Sequence, residues 1–353
     1  MRYKDFEGTL EELVEQKLQE IEEKEHVRIL HAVESGSRSW GFASPDSDYD
    51  VRFIYVRRPE DYLKLEPARD VIEWELDETL DINGWDLQKA LRQYHRSNST
   101  LFEWANSPVI YRTTEEWRQI HQAASVYFSE KAAMYHYYGT AKSNFLEFLQ
   151  GDTVKYKKYF YVIRPVLACK WIEEHACPPP VLFSELMEAV RGYGDLAKVL
   201  AAIEKLLEIK AMTPESGSGE RIEVLNHFIE GQLDYYKTLL DKKTDDRRES
   251  WDVLDRLFWT VQPPMGLVKG DYYRAENWFA PHFPGDKGYH GILEVVRRDG
   301  TLQMVEFNEI NNPTYSIRRY QGVSKRLSDY GFLQATKERN AKSGVVLVNG
   351  LTH

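Results

Sequence analysis

Between residues 9 and 25 apolar side chains return every three or four positions, at Leu10, Leu13, Val14, Leu18 and Ile21, with acidic residues between them. That period predicts an amphipathic helix with one buried stripe. Thr9 and Glu12 have the spacing of a capping box, which places the helix start. The pattern then changes. Val27 to Val33 is a short apolar run expected as a strand, followed by the turn Gly36-Ser37 and a short helical segment near 38–42. Ser44-Pro45-Asp46 is turn chemistry. Val51, Phe53, Tyr55 and Val56 mark the next strand, and residues 71–75 and 80–83 two shorter ones. Gly84 is expected to close the last of these, and Asp86 to cap a helix over 86–95.

This order fits a compact α/β domain ending near Ser107-Pro108. From about 114 to 260 helical periodicity dominates, in segments 114–126, 130–149, 154–175, 183–192, 195–209, 219–241 and 249–260, with a loop at 213–219. Gln262-Pro263-Pro264-Met265-Gly266 reads as a boundary. Beyond it, residues 291–296, a turn at 298–300 and residues 302–307 predict a β-hairpin, followed by a helix over 322–341 and a strand over 344–348. The expected fold class is α+β: an α/β domain over 1–108, an all-helical domain over 109–262 and a small α+β domain over 263–353.

A chain of 353 residues, 42% hydrophobic and 29% charged, has the balance of a soluble globular protein. No apolar run reaches the roughly 18–20 residues of a membrane span, and the N-terminus lacks the apolar core of a signal peptide. The expectation is a cytoplasmic protein with no membrane partner. Cys169 and Cys177 alone suggest neither a disulfide framework nor a zinc site. Net charge is −10, and residues 263–353 carry 12 Lys and Arg against 9 Asp and Glu, so the acidity lies in residues 1–262. An acidic body argues against wholesale wrapping of a long polyanion. It suits an enzyme that takes a nucleotide as its metal complex.

The stretch 34–51 carries the chemistry. Asp48 and Asp50, one residue apart at the head of a strand, share a face about 7 Å apart and can chelate a divalent metal together. Taken alone, Ser-Pro-Asp-Ser-Asp also suits a solvated turn. Gly36-Ser37 upstream favours the metal reading, because backbone N–H groups at a helix start can dock a phosphate. Metal beside a phosphate cradle is the equipment of nucleotidyl transfer.

Gly36-Ser37 followed by Asp48-Tyr49-Asp50 resembles the signature of the DNA polymerase β nucleotidyltransferase superfamily. The fuller string from Glu34 to Arg52, with 81–87, 101–104 and 157–165, is similar to one bacterial branch, the RNA-repair-pathway polymerase-β family. The likeness covers roughly residues 10–240. It implies a Mg²⁺-dependent (or Mn²⁺-dependent) enzyme that transfers NMP from an NTP, most simply ATP, to an RNA end, a protein or a small molecule, and releases pyrophosphate. A non-catalytic nucleotide- or flavin-responsive module is the alternative.

The resemblance also implies roles. Asp48 and Asp50 would hold metal, with a third carboxylate on a neighbouring strand as base or ligand. Asp81 is the first choice for it, ahead of Asp86, which reads as a helix cap, and Asp77. Gly36 and Ser37 would cradle the terminal phosphates. Arg38 would contact phosphate or pair with Glu34 or Asp46, and Arg52 would hold phosphate or balance the carboxylates. In the cluster Lys157, Lys158, Tyr159, Tyr161 and Arg164, expected as a helical lid, Lys158 and Arg164 are favoured for the nucleotide. Residues 288–309, joined by 324–331, are similar to small FMN-binding domains of bacterial electron-transfer and surface proteins, but the flavin attachment motif Ser-Gly-Ala-Thr does not occur. A degenerate domain for packing, substrate contact or protein binding is therefore preferred to an FMN site.

Overall fold

The computed structural model describes residues 6–44, 47–75, 79–212 and 217–261, with the strand segments 272–275, 290–296, 302–309 and 315–320. The chain divides into two compact units, Met1–Gln262 and Pro263–His353. The first unit opens with α1 (Leu10–Glu25), β1 (Arg28–Glu34), the one-turn α2 (Gly36–Ser39), β2 (Tyr49–Val56), α3 (Pro59–Tyr62), β3 (Val71–Glu75) and β4 (Leu80–Asp86). It continues through α4 (Leu87–His95), α5 (Ser99–Ala105), β5 (Ile110–Thr113), α6 (Glu115–Ala124), α7 (Glu130–Phe148), β6 (Thr153–Lys155) and α8 (Lys157–His175). It closes with α9 (Phe183–Val190), α10 (Ala197–Met212), β7 (Ser218–Glu220), α11 (Glu223–Lys242) and α12 (Asp252–Val261).

The caps behave as their residues dictate. Thr9 and Glu12 form both bonds of the capping box on α1, and the Asp86 side chain accepts the Gln88 N–H at the start of α4. Five strands form one sheet in the order β3-β4-β2-β1-β5. β2 and β4 are parallel and every other neighbouring pair is antiparallel.

Alternation along β2 sorts its side chains onto two faces. Val51, Phe53 and Tyr55 pack with Leu13, Val14, Leu18 and Ile21 of α1. Ile54 and Val56 face the other way, onto Leu87 and Tyr94 of α4, Leu101 and Trp104 of α5, Trp117 of α6 and Leu254 of α12. The sheet is thus covered by helices on both faces. Asp50 and Arg52 have the parity of Ile54, so they share its face at the strand's leading end.

β4 runs through Gly84 to Asp86, past the end expected from the glycine. The Phe53 ring explains this: a Cβ on Gly84 would come within 2.2 Å of it, so only glycine lets the neighbouring ring lie flat on the strand. The sheet also gains β5, beyond residue 108, which pairs with β1. β5 shows no alternation between a buried and an exposed face, and α5 spans only about two turns.

A second core lies among α7, α8, α9, α10 and α11, with Tyr137, Phe160, Ile163, Phe183, Ile203 and Ile229 at its centre. Phe42, in the loop after α2, stacks on Phe160 (4.9 Å between centroids) and meets Phe183 edge-on (5.4 Å). This ring fastens the loop of the Gly-Ser turn to the helical layer. The helical region holds one short ladder, β6 with β7, where the sequence pattern predicted the first turns of helices.

The second unit contains the antiparallel meander β8 (Tyr272–Ala275), β9 (His290–Val296), β10 (Leu302–Glu309) and β11 (Tyr315–Tyr320), of which β9 and β10 are the expected hairpin. The boundary at 262–266, the turn at 298–300, helix 322–341 and its segment 324–331, strand 344–348, Asp77, Pro45-Asp46 and most of the 213–219 loop lie outside the described residues. Among the described residues no helix is long and apolar enough to cross a membrane.

Candidate active site

Parallel pairing of β2 with β4 sets Asp50 opposite Asp81. Both reach the same guanidinium: Arg52 Nη2 donates to Asp50 Oδ1 at 2.8 Å and to Asp81 Oδ2 at 2.8 Å. The two carboxylate oxygens are therefore no farther apart than twice that distance. Arg52 Nη1 donates to the carbonyls of Val51 at 3.0 Å and Asp81 at 3.3 Å, which anchors the fork. Burial raises the pKa of Asp50; Arg52 opposes the shift, and Asp81 and Asp48 add to it. Asp48 is exposed just ahead of β2. Among the described residues no three His, Cys, Asp or Glu side chains converge at metal-ligand spacing.

Glu34, at the end of β1, is a buried carboxylate that the sequence offered only as a partner for Arg38. Its Oε1 accepts the Asp50 N–H at 2.8 Å and its Oε2 the Tyr111 hydroxyl at 2.6 Å. Desolvation raises its pKa above the usual range. Ser35 N–H donates to the Asp50 carbonyl at 2.8 Å. Gly36 has φ +65°, and a Cβ there would lie 2.6 Å from Asp50 Oδ2. Both facts require glycine. Ser37 follows in α2, half-buried.

Arg38 is engaged with the loop. Its Nε donates to the carbonyls of Ser47 (3.2 Å) and Asp48 (3.0 Å), and its guanidinium lies 3.6 Å above the Tyr49 ring. The geometry makes it a staple for the segment that delivers Asp48.

Gly36, Asp50 and Arg52 open into a cavity of about 270 Å³ whose other walls include Trp40, Glu103, His136, Tyr161 and Arg164. Glu103, on α5, organises that wall. Its Oε1 accepts from Arg164 Nη1 at 2.8 Å and from the Tyr137 hydroxyl at 2.8 Å, and its Oε2 from Trp40 Nε1 at 3.3 Å. Arg164 is only 2% exposed, donates also to the Val181 carbonyl at 3.3 Å and sits 4.6 Å from the centre of the Trp40 ring. Glu103 and Tyr137 were not expected as site residues. The one hint was Glu103's place inside the family-like segment 101–104.

Lys158 is not in the cavity wall. Its ammonium stands 3.6 Å above the Phe148 ring and 5.4 Å from that of Tyr161, and desolvation lowers its pKa. Asp86 lies five residues from Asp81 along β4, about 16 Å away at strand rise. It is occupied with the α4 cap and the Tyr62 hydroxyl at 2.9 Å, and burial pushes its carboxyl up to about 6. Two larger cavities, of about 480 Å³ beside Trp171 and about 350 Å³ beside Arg57, do not include Asp50; Asp81 lines none of the three and joins the site through Arg52. Size alone does not mark the site.

A family model described as RNA repair pathway DNA polymerase beta family (RlaP) matches residues 10–260. The protein named "Uncharacterized protein YcgL" of Bacillus subtilis (strain 168) is 43% identical over 244 residues, which is 68% of this chain and 92% of the relative. Among solved structures, a nucleotidyltransferase-like protein from Exiguobacterium sibiricum 255-15 aligns over 78% of this chain and 97% of its own, at 14% identity and a TM-score of 0.29. A likeness that low carries no argument. The family match and the curated relative each span about two thirds or more of the chain, and the match includes every residue of the cavity described above. The chain belongs to the RNA repair pathway DNA polymerase beta family and is a polymerase-β-like nucleotidyltransferase.

Proposed function

We propose that the enzyme transfers NMP from a metal-bound NTP, most simply ATP, to a hydroxyl or phosphate acceptor and releases pyrophosphate. The convergence of Asp50 and Asp81 on one cation carries this reading. Mg²⁺ is usually held by one or two carboxylates together with substrate phosphates, so two protein carboxylates beside an open cavity are an adequate donor set for Mg²⁺ or Mn²⁺. Asp50 and Asp81 would hold the metal, with Asp48, exposed just ahead of β2 and close enough for its charge to act on Asp50, as a further ligand. Bound there, it would neutralise charge on the triphosphate and polarise the α-phosphate.

The chain's own groups account for the rest. Gly36, which lines the cavity and has no Cβ, and the Ser37 N–H that follows would cradle the terminal phosphates. Glu34 fixes the Asp50 backbone, and Arg38 fixes the loop ahead of it, so the carboxylates are pre-positioned. Tyr161 and Trp40 give the cavity aromatic walls against which a base can stack. Arg164, locked to Glu103, shapes that wall, and Lys158 stands behind Tyr161 as local positive charge. The cavity of about 270 Å³ is small, and the acceptor in this reading is an RNA end, a protein side chain or a small molecule.

Incubation with α-labelled ATP and Mg²⁺ in the presence of RNA ends, proteins or metabolites tests the proposal. Label transfer with pyrophosphate release is expected. ATP binding without either, across all three acceptor classes, would favour a nucleotide sensor. For the 263–353 unit, incubation with FMN followed by gel filtration is a separate test, and a colourless protein would remove flavin.

A further inference from the structure

Arg52 occupies the angle between the two carboxylates assigned above to the metal. Its side chain is 17% exposed, and a single nitrogen, Nη2, serves Asp50 Oδ1 and Asp81 Oδ2 at 2.8 Å each. The other nitrogen is tied to two backbone carbonyls, so the guanidinium is held in place and not merely resting there. A divalent cation on the same two oxygens, at the ~2.1 Å typical of Mg²⁺, would stand against Nη2 with like charge. On these two oxygens the two cations compete for the same lone pairs and repel each other.

We propose that Arg52 is a built-in competitor of the divalent metal, which makes metal binding depend on the nucleotide. Without nucleotide, the guanidinium offsets part of the charge on Asp50 and Asp81, occupies one oxygen of each and weakens the hold on free metal. A triphosphate offers Nη2 another anion, and arginine's fork suits phosphate as well as carboxylate. Metal then takes the released oxygens. The metal enters with its nucleotide, and the chain discriminates the metal–nucleotide complex from either component alone. This rests on the reading that Asp50 and Asp81 are the metal's ligands.

Mn²⁺ binding to the full chain, measured by electron paramagnetic resonance with and without α,β-methylene-ATP, tests it without any acceptor. The wild-type chain is expected to bind Mn²⁺ weakly alone and about tenfold or more tightly with the analogue. Arg52→Gln is expected to bind Mn²⁺ alone about tenfold more tightly than wild type and to lose most of the nucleotide's effect. If Arg52→Gln binds Mn²⁺ no more tightly than wild type while Asp50→Asn loses it, the competitor role is overturned and the metal ligands stand. If no form binds Mn²⁺ with or without the analogue, the metal reading itself falls and the inference with it. Should Arg52→Gln not fold, Arg52→Lys keeps a cation without the fork. It is expected to shift Mn²⁺ affinity in the same direction by a smaller factor, and an unchanged affinity would again overturn the role.

Discussion

Gly36 is pinned by two independent constraints, a left-handed backbone and the Asp50 carboxylate 2.6 Å from where a Cβ would stand. Gly36→Ala should therefore lower stability by about 1–2 kcal/mol from the backbone alone. It should also displace Asp50 and reduce transfer more than its stability cost explains. Urea denaturation beside transfer rates at a temperature where the variant is folded would separate the two effects. Asp86 offers a test by pH. Burial raises its carboxyl to about 6, above the ~3.9 of an unfolded chain, so between those values the folded state binds the proton more tightly. Its contribution therefore makes the protein less stable as pH rises from about 4 to about 6, and is level above that. Asp86→Asn, which keeps a good cap, should flatten that part of the stability–pH curve. An unchanged slope would show that Asp86 is not the group responsible.

At the scale of elements, the site is made where parallel β2 and β4 begin and where α5, α7 and α8 close over that end. Glu103 and Arg164 join two of those helices, and both are largely removed from water. Glu103→Ala would leave a buried guanidinium unpaired and should cost about 3–5 kcal/mol, read as a lowered urea midpoint. The same loss from Arg164→Ala, with no further loss in the double variant, would show that the two act as one unit.

Much of this layer was legible in the chain. The strands carrying Asp50 and Asp81 announce themselves by alternation, and the Asp86 cap separates that residue from Asp81 without coordinates. Glu34 and Glu103 were not legible, because a buried glutamate with two or three donors has the same letter as a solvated one. Only the arrival of Tyr111, or of Arg164 and Tyr137, distinguishes them. Arg38 and Lys158 show the converse. Their charge is visible in the sequence, while the carbonyls and rings that engage them, three to eleven residues away, are brought up only by the turn after α2 and the packing of α7 on α8. β5 escaped because its four residues show no alternation between a buried and an exposed face, and α5 because seven residues span only about two turns.

On the scale of the whole molecule, an acidic chain carries a site where one arginine is shared between two carboxylates. The sheet supplies acidic ligands, the turn after β1 a surface for phosphate, and the helical layer a small aromatic wall. The central claim is metal-dependent nucleotidyl transfer at Asp50 and Asp81. The most direct test is pyrophosphate release from ATP with Mg²⁺, comparing the wild-type chain with Asp50→Asn and Asp81→Asn in the presence of the acceptor classes above. The expected result is release that disappears on chelation and falls by about 10²–10³-fold in each variant, with folding intact by circular dichroism. Release that survives chelation, or that is unchanged in both variants, would contradict it.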